Sequence, residues 1–164
     1  MSRAFVKEGA PEVPLVVPPR PPLPDGVPNY VTPTGLVALR AEKSALEAER
    51  RGLEGDADES TRQREWITGR LRDLVERIAR SKVVDPSTLE RSDVRFGATV
   101  TILRGGDEQT FQIVGVDEAS ARDDAVAFTS PIARAVLAKS AGDAATLSTP
   151  KGEDRLEVVA VQYA

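Results

Sequence analysis

From Leu36 onward the apolar positions recur at alternating spacings of three and four: Leu36, Leu39, Leu46 and Leu53, with Lys43 and Arg50 as polar interruptions of the same seam. Such a stripe is one face of a helix, and sustained over heptads it is a coiled-coil seam. The run Glu54-Gly55-Asp56-Ala57-Asp58-Glu59-Ser60 breaks it. A second stripe follows, Ile67, Leu71, Leu74 and Ile78, flanked by Trp66 and Val75. Two matched stripes around a short glycine-containing break predict an antiparallel α-hairpin, a two-stranded coiled coil. Arms of about 20 residues would reach ~30 Å. The hairpin buries its own seam, so a monomer is expected. Val83-Val84-Asp85-Pro86 is predicted to end the second helix, because the residue before a proline avoids the α region.

Beyond Pro86 the period drops to two. Thr99-Val100-Thr101-Ile102 and Thr110-Phe111-Gln112-Ile113-Val114 alternate around Gly105-Gly106-Asp107-Glu108, a strand–turn–strand signal. A third strand is predicted over Ala125–Phe128, a short one over Ala145–Ser148, and a last one over Leu156–Tyr163 after the turn Pro150-Lys151-Gly152-Glu153. Between them Ser130–Asp143 reads as one helix. Ser130 is its N-cap, Pro131 sits where a missing N–H costs nothing, Ile132, Val136 and Leu137 form its stripe, and Gly142 ends it. The expected fold class is therefore α+β: a coiled-coil hairpin, then a small antiparallel sheet carrying one helix.

Composition adds an appendage. Nine of the twelve prolines precede Thr34, and Pro18-Pro19-Arg20-Pro21-Pro22-Leu23-Pro24 can form neither helix nor internal strand. A proline-rich, solvated, disordered tail is expected over residues 1–31, the hairpin over 32–84 and the sheet domain over 85–164. With 22 basic and 26 acidic side chains the net charge is −4, which argues against a surface for free duplex nucleic acid. There is no Cys and no His, so thiolate or imidazole zinc sites, Ser-His-Asp triads and disulfides are excluded. No apolar run is long enough to span a membrane, and Met1–Lys7 lack the apolar core of a signal peptide, so a cytoplasmic location without membrane partners is expected.

Candidate chemistry concentrates at the break between the stripes. Asp56, Asp58 and Glu59 could serve as hard oxygen ligands for Mg²⁺; equally, Asp and Gly are ordinary turn residues, and acids suit a helix start. The arm arginines Arg50, Arg51, Arg62, Arg64, Arg70 and Arg72 could meet phosphates, or simply pair with Glu42, Glu47 and Glu49 on a solvated face.

Several separate segments carry a resemblance. Tyr30-Val31-Thr32-Pro33-Thr34-Gly35-Leu36, Gly55-Asp56-Ala57-Asp58-Glu59-Ser60, Val83-Val84-Asp85, Val94-Arg95-Phe96-Gly97-Ala98-Thr99-Val100, Phe111-Gln112-Ile113-Val114-Gly115-Val116-Asp117-Glu118-Ala119, Ser130–Asp143, Thr149-Pro150-Lys151-Gly152-Glu153 and Val161-Gln162-Tyr163 resemble, in order, the motifs of the Gre transcript-cleavage factors. The resemblance implies an FKBP-like C-terminal domain docked on the rim of the bacterial RNA polymerase secondary channel, with the coiled coil inside the channel. It implies docking through Asp117, Thr129, Ser130, Pro131, Ile132 and Arg134, and contacts to RNA or channel walls through Arg50, Arg51, Arg62 and Arg64. The family's acidic pair falls on Asp56 and Glu59, with Asp58 where a serine is usual. These would hold Mg²⁺ shared with the polymerase, near the nascent RNA 3′ end, and no cofactor would be tightly bound.

The chain departs from the family in its arms, which are shorter by about two turns each, or ~11 Å of reach. Two readings follow from the resemblance: a factor that stimulates intrinsic cleavage of backtracked RNA, not an enzyme in its own right, or a regulator that occupies the channel without stimulating cleavage. A prolyl isomerase would need a deep aromatic-lined pocket, and Phe96, Phe111 and Phe128 are expected in the core. A coiled-coil adaptor is the remaining alternative.

Overall fold

The computed structural model describes residues 15–55 and 57–164. Asn29–Val31 (β1) leads into two helices, Pro33–Gly52 (α1) and Asp58–Ala79 (α2), and Ser81–Val83 (β2) returns to pair with β1 in parallel. Thr32 caps α1, its hydroxyl accepting from the Gly35 N–H at 2.9 Å, with Pro33 at the first helical position. Joined by residues 53–57, α1 and α2 share a core of Leu39, Leu46, Ile67, Leu71 and Leu74, closed at the base by Val31. Leu36, Leu53, Trp66 and Ile78 border it, whereas Val75 is 46% exposed. Of the apolar stripe residues read from the sequence, Leu39, Leu46, Ile67, Leu71 and Leu74 are buried and Leu36, Leu53 and Ile78 half-buried.

The second helix stops earlier than expected. It ends at Ala79, where the Arg80 N–H bonds back to Glu76 O, and the next three residues become β2. Val84 N–H then donates to Val31 O at 2.9 Å, so a parallel ladder takes the backbone groups that further helix would have used. Residues 15–28 have no regular element; residues such as Val16, Pro18 and Pro19 are exposed, but Val17, Arg20 and Pro21 lie against the helices. Val17 packs on Gly69, the Arg77 guanidinium donates to Pro21 O at 2.6 Å, and Pro24-Asp25-Gly26-Val27 turns the chain into β1 with Gly26 at φ +75°.

The second layer is a five-stranded sheet in the order β5-β4-β3-β7-β6. Its strands are Thr99–Arg104 (β3), Asp107–Val114 (β4), Ala125–Ala127 (β5), Ala144–Thr149 (β6) and Gly152–Gln162 (β7). Gly105 and Gly106, both at positive φ, make the β3–β4 turn. Val100, Ile102, Phe111, Ile113, Leu147, Leu156 and Val158 form the core, with Val94 and Val136.

Two expectations are corrected here. The sheet is not wholly antiparallel: β5 runs parallel to β4, and the crossover that a parallel pair requires contains a helix the periodicity did not reveal, Val116–Ser120 (α3). The helix read over Ser130–Asp143 is only Pro131–Val136 (α4). Its N-cap is as expected, with Ser130 Oγ accepting from Ala133 N–H at 3.3 Å. Its end is set elsewhere. Val94 exchanges 2.8 Å hydrogen bonds with Ala138 N–H and Lys139 O, pulling the chain out of the helix with Ala138 at φ +61°. Gly142, at φ +92°, belongs to the following turn.

Candidate functional site

At the far end of the helix pair from β1 and β2, Asp58 and Glu59 occupy the first turn of α2 and are both exposed. Ala57 supplies no side-chain cap, so the free N–H groups and the helix dipole favour these carboxylates where they stand. Asp56 lies outside the described residues. Among the described residues no three acidic side chains gather into a metal cage. The donor set is chemically right for Mg²⁺, but an exposed carboxylate pair is a partial coordination sphere that needs ligands from elsewhere.

The arginines divide. Arg64 is half-buried, and one of its terminal nitrogens donates to Leu53 O at 2.9 Å and Gly55 O at 2.7 Å, tying the loop shut. Arg70 pairs with Glu42 at 3.1 Å and lies 4.9 Å from the Trp66 ring centre. Arg50, Arg51, Arg62 and Arg72 are exposed, and none forms an ion pair with a described residue. Of the acidic partners available, Glu47 takes Lys43 at 3.0 Å, and that bond holds its carboxyl below the usual range.

The residues expected to dock also divide. Pro131 and Arg134 are exposed on α4, with Thr129 half-buried just before it. Ser130 is engaged by its cap, and Ile132 packs against the sheet core. Asp117 sits apart from them, on α3, with a side chain only 10% exposed. Arg20 covers it: Nε donates to Asp117 Oδ1 at 2.9 Å, and the two terminal nitrogens form a fork on Glu42 at 3.0 Å each. Arg77 approaches the other Asp117 oxygen at 3.6 Å. The Arg20 fork holds the Glu42 carboxyl below its ordinary value, with burial opposing.

Sequence reasoning did not anticipate this junction. It joins the proline-rich stretch, α1, α2 and α3, and is closed further by Thr32 Oγ1 donating to Glu118 Oε2 at 2.6 Å. Tyr30, Phe96 and Phe128 meet edge-on or tilted at 5.5–5.8 Å between ring centres. Two glycines allow the close approach. A Cβ at Gly35 would lie 2.7 Å from Glu118 Oε2, and one at Gly115 would lie 2.7 Å from Tyr30 O. The acidic pair Asp117-Glu118 was a visible signal; its pairing with Arg20 and Thr32 was not. A cavity of about 440 Å³ beside the junction has no aromatic side chain among its lining residues.

Residues 89–163 match the family model described as transcription elongation factor, GreA/GreB, C-terminal. The chain is 39% identical over 151 residues to transcription elongation factor GreA of Hyphomonas neptunium, covering 81% of this chain and 96% of that protein. It is 38% identical over 153 residues to transcription elongation factor GreB of Neisseria meningitidis, covering 82% and 94%. Among solved structures, Thermus aquaticus Gfh1 aligns over 81% of this chain and 97% of its own, with 22% identity and a TM-score of 0.40. Among the described residues no helix is long and apolar enough to cross a membrane.

Proposed function

The chain belongs to the GreA/GreB family of transcription elongation factors, and from that premise we propose that it inserts α1 and α2 into the secondary channel of bacterial RNA polymerase as a coiled-coil hairpin and stimulates cleavage of backtracked RNA. The β3–β7 sheet acts as the FKBP-like docking domain, with Thr129, Pro131 and Arg134 as its accessible contacts. The observation that carries the reading is the exposed pair Asp58 and Glu59 at the free end of the helix pair, beside Asp56 in sequence.

In this mechanism the chain is no enzyme alone. Asp56 and Glu59, with Asp58 in support, would help hold a Mg²⁺ shared with the polymerase, and a metal bound there would supply an activated water for attack on the RNA backbone. The helix dipole favours acidic side chains at the start of α2, where Asp58 and Glu59 stand exposed. Arg50, Arg51 and Arg62 face RNA phosphates or acidic channel walls; Arg64 shapes the loop that presents the acids.

A second reading has a specific observation behind it. Helices of 20 and 22 residues give ~30–33 Å of reach. The alignment to the Hyphomonas protein also runs over more positions than the matched 81% of this chain supplies, so that relative has residues this chain lacks. A displacement of 1 Å can already cost a catalytic group most of its effect. A short hairpin would then occupy the channel without assisting cleavage. Stalled, backtracked elongation complexes with Mg²⁺ decide between the two. Shortening of the RNA 3′ end that disappears in Asp56→Ala or Glu59→Ala supports the cleavage factor. Binding to polymerase without shortening refutes it in favour of the channel-occupying regulator.

A further inference from the structure

Residues 15–28 were expected to be solvated, yet their contacts follow a line. Val17 meets Gly69 midway along α2, where a Cβ would come within 2.9 Å of Val17 Cγ2. Arg20 meets Glu42 on α1 and Asp117 on α3, and Pro21 O accepts from Arg77 in the last turn of α2. The segment therefore crosses the helix pair from its middle to its base before turning into β1.

Arg20 is the centre of this path. Its side chain is 14% exposed, and its Nε and both terminal nitrogens are engaged, by two carboxylates from two different parts of the molecule. Glu42 belongs to the helix pair and Asp117 to the sheet domain. Arg70 and Arg77 extend the series to Arg70–Glu42–Arg20–Asp117–Arg77, so three cations and two anions alternate across the junction. A rigid planar fork can bridge two carboxylates in this way, whereas a lysine, with one nitrogen, cannot reproduce the three-nitrogen pattern.

We infer that residues 15–28 form a strap that fixes the angle between the helix pair and the sheet domain, with Arg20 as its clamp. Arg20 is a positioning residue: it touches neither RNA nor metal, and it acts by setting where the Asp58–Glu59 end stands relative to α4. That last consequence rests on the channel reading; the clamp itself does not. The strap also covers Asp117, so this carboxylate serves the internal junction and not an outside partner.

The chain has no cysteine, so spin labels can be attached solely at Ser44→Cys on α1 and Ser148→Cys on β6, both exposed positions. Pulsed dipolar spectroscopy of the full chain, without polymerase, reads the distance between them. One narrow distance is expected with Arg20 present, and a broadened distribution with Arg20→Ala and with Arg20→Lys. Hydrogen exchange supplies a second readout. The amides of β1 and β2 should exchange on the order of tenfold faster in Arg20→Ala, while those of β3, β7 and α2 keep their protection. An unchanged narrow distance in Arg20→Ala overturns the strap. So does full restoration by Arg20→Lys, or a loss of protection spread through both cores. Because polymerase is absent, a failed cleavage assay leaves this result untouched, and the reverse holds.

Discussion

Arg64 offers the sharpest test of how the acidic end is built. Its guanidinium donates to Leu53 O at 2.9 Å and Gly55 O at 2.7 Å, tying the first part of the loop between α1 and α2 to α2 itself. Hydrogen bonds to a charged group contribute about 1.5–3 kcal/mol each when buried. One of these two is exposed, and water replaces part of what is lost, so Arg64→Ala should release roughly 1.5–2 kcal/mol locally. That corresponds to an opening equilibrium on the order of ten to thirty times larger. Ser60 Oγ still donates to Glu54 O at 3.2 Å, so the loop loosens without unfolding the helices. Hydrogen exchange of the isolated chain should show faster amides over residues 54–59, with α1 and α2 core amides unchanged. Exchange at the tip equal to that of the unaltered protein refutes the pinning argument and returns Arg64 to the pool of free cations.

Three further outcomes follow from the same contacts. Leu74→Ala, at a fully buried position, should cost about 2–5 kcal/mol in a urea or thermal melt, whereas Val75→Ala next to it, 46% exposed, should change stability by less than about 0.5 kcal/mol. Gly115→Ala places a methyl 2.7 Å from the Tyr30 carbonyl, a backbone atom that cannot swing away; it should destabilise by about 1–3 kcal/mol and perturb the Tyr30 and Phe128 ring signals in an NMR spectrum. Glu42, whose carboxyl Arg20 holds below its ordinary value, contributes stability that is fully present above the unfolded glutamate value of about 4.3 and lost as pH falls through the lower folded value. The urea midpoint difference between the unaltered protein and Glu42→Gln should therefore be constant near neutral pH and shrink in acid; a difference that grows in acid would contradict the pairing.

Much of the helix pair was legible in the sequence because its information is local. Leu39, Leu46, Ile67, Leu71 and Leu74 are spaced to lie on one side of a helix whatever surrounds them, and all five are buried. Pro33 and Pro131 start helices by fixing φ, and Thr32 and Ser130 cap them within three residues. The exposed acids at the start of α2 were legible for the same reason. The end of α4 was not, because Leu137–Lys139 carries helical pattern but Val94, more than forty positions earlier, claims its backbone groups. Nor was α3, since a five-residue helix is shorter than two turns of any period.

The chain by itself determined which segments bury a stripe, where α4 begins, where the hairpin turns fall, and that carboxylates stand between the two stripes. Each of these depends on residues within a few positions of one another, where spacing and φ preference act directly. The tertiary structure alone decided that Ala125–Ala127 joins the sheet in parallel, that Ser81–Val83 leaves the helix for β1, and that Arg20 lies on Glu42 and Asp117. Those outcomes turn on charges and backbone groups brought together from up to 97 positions apart. No local preference encodes such a meeting; it exists only once both cores have formed and the polar groups between them must be paired.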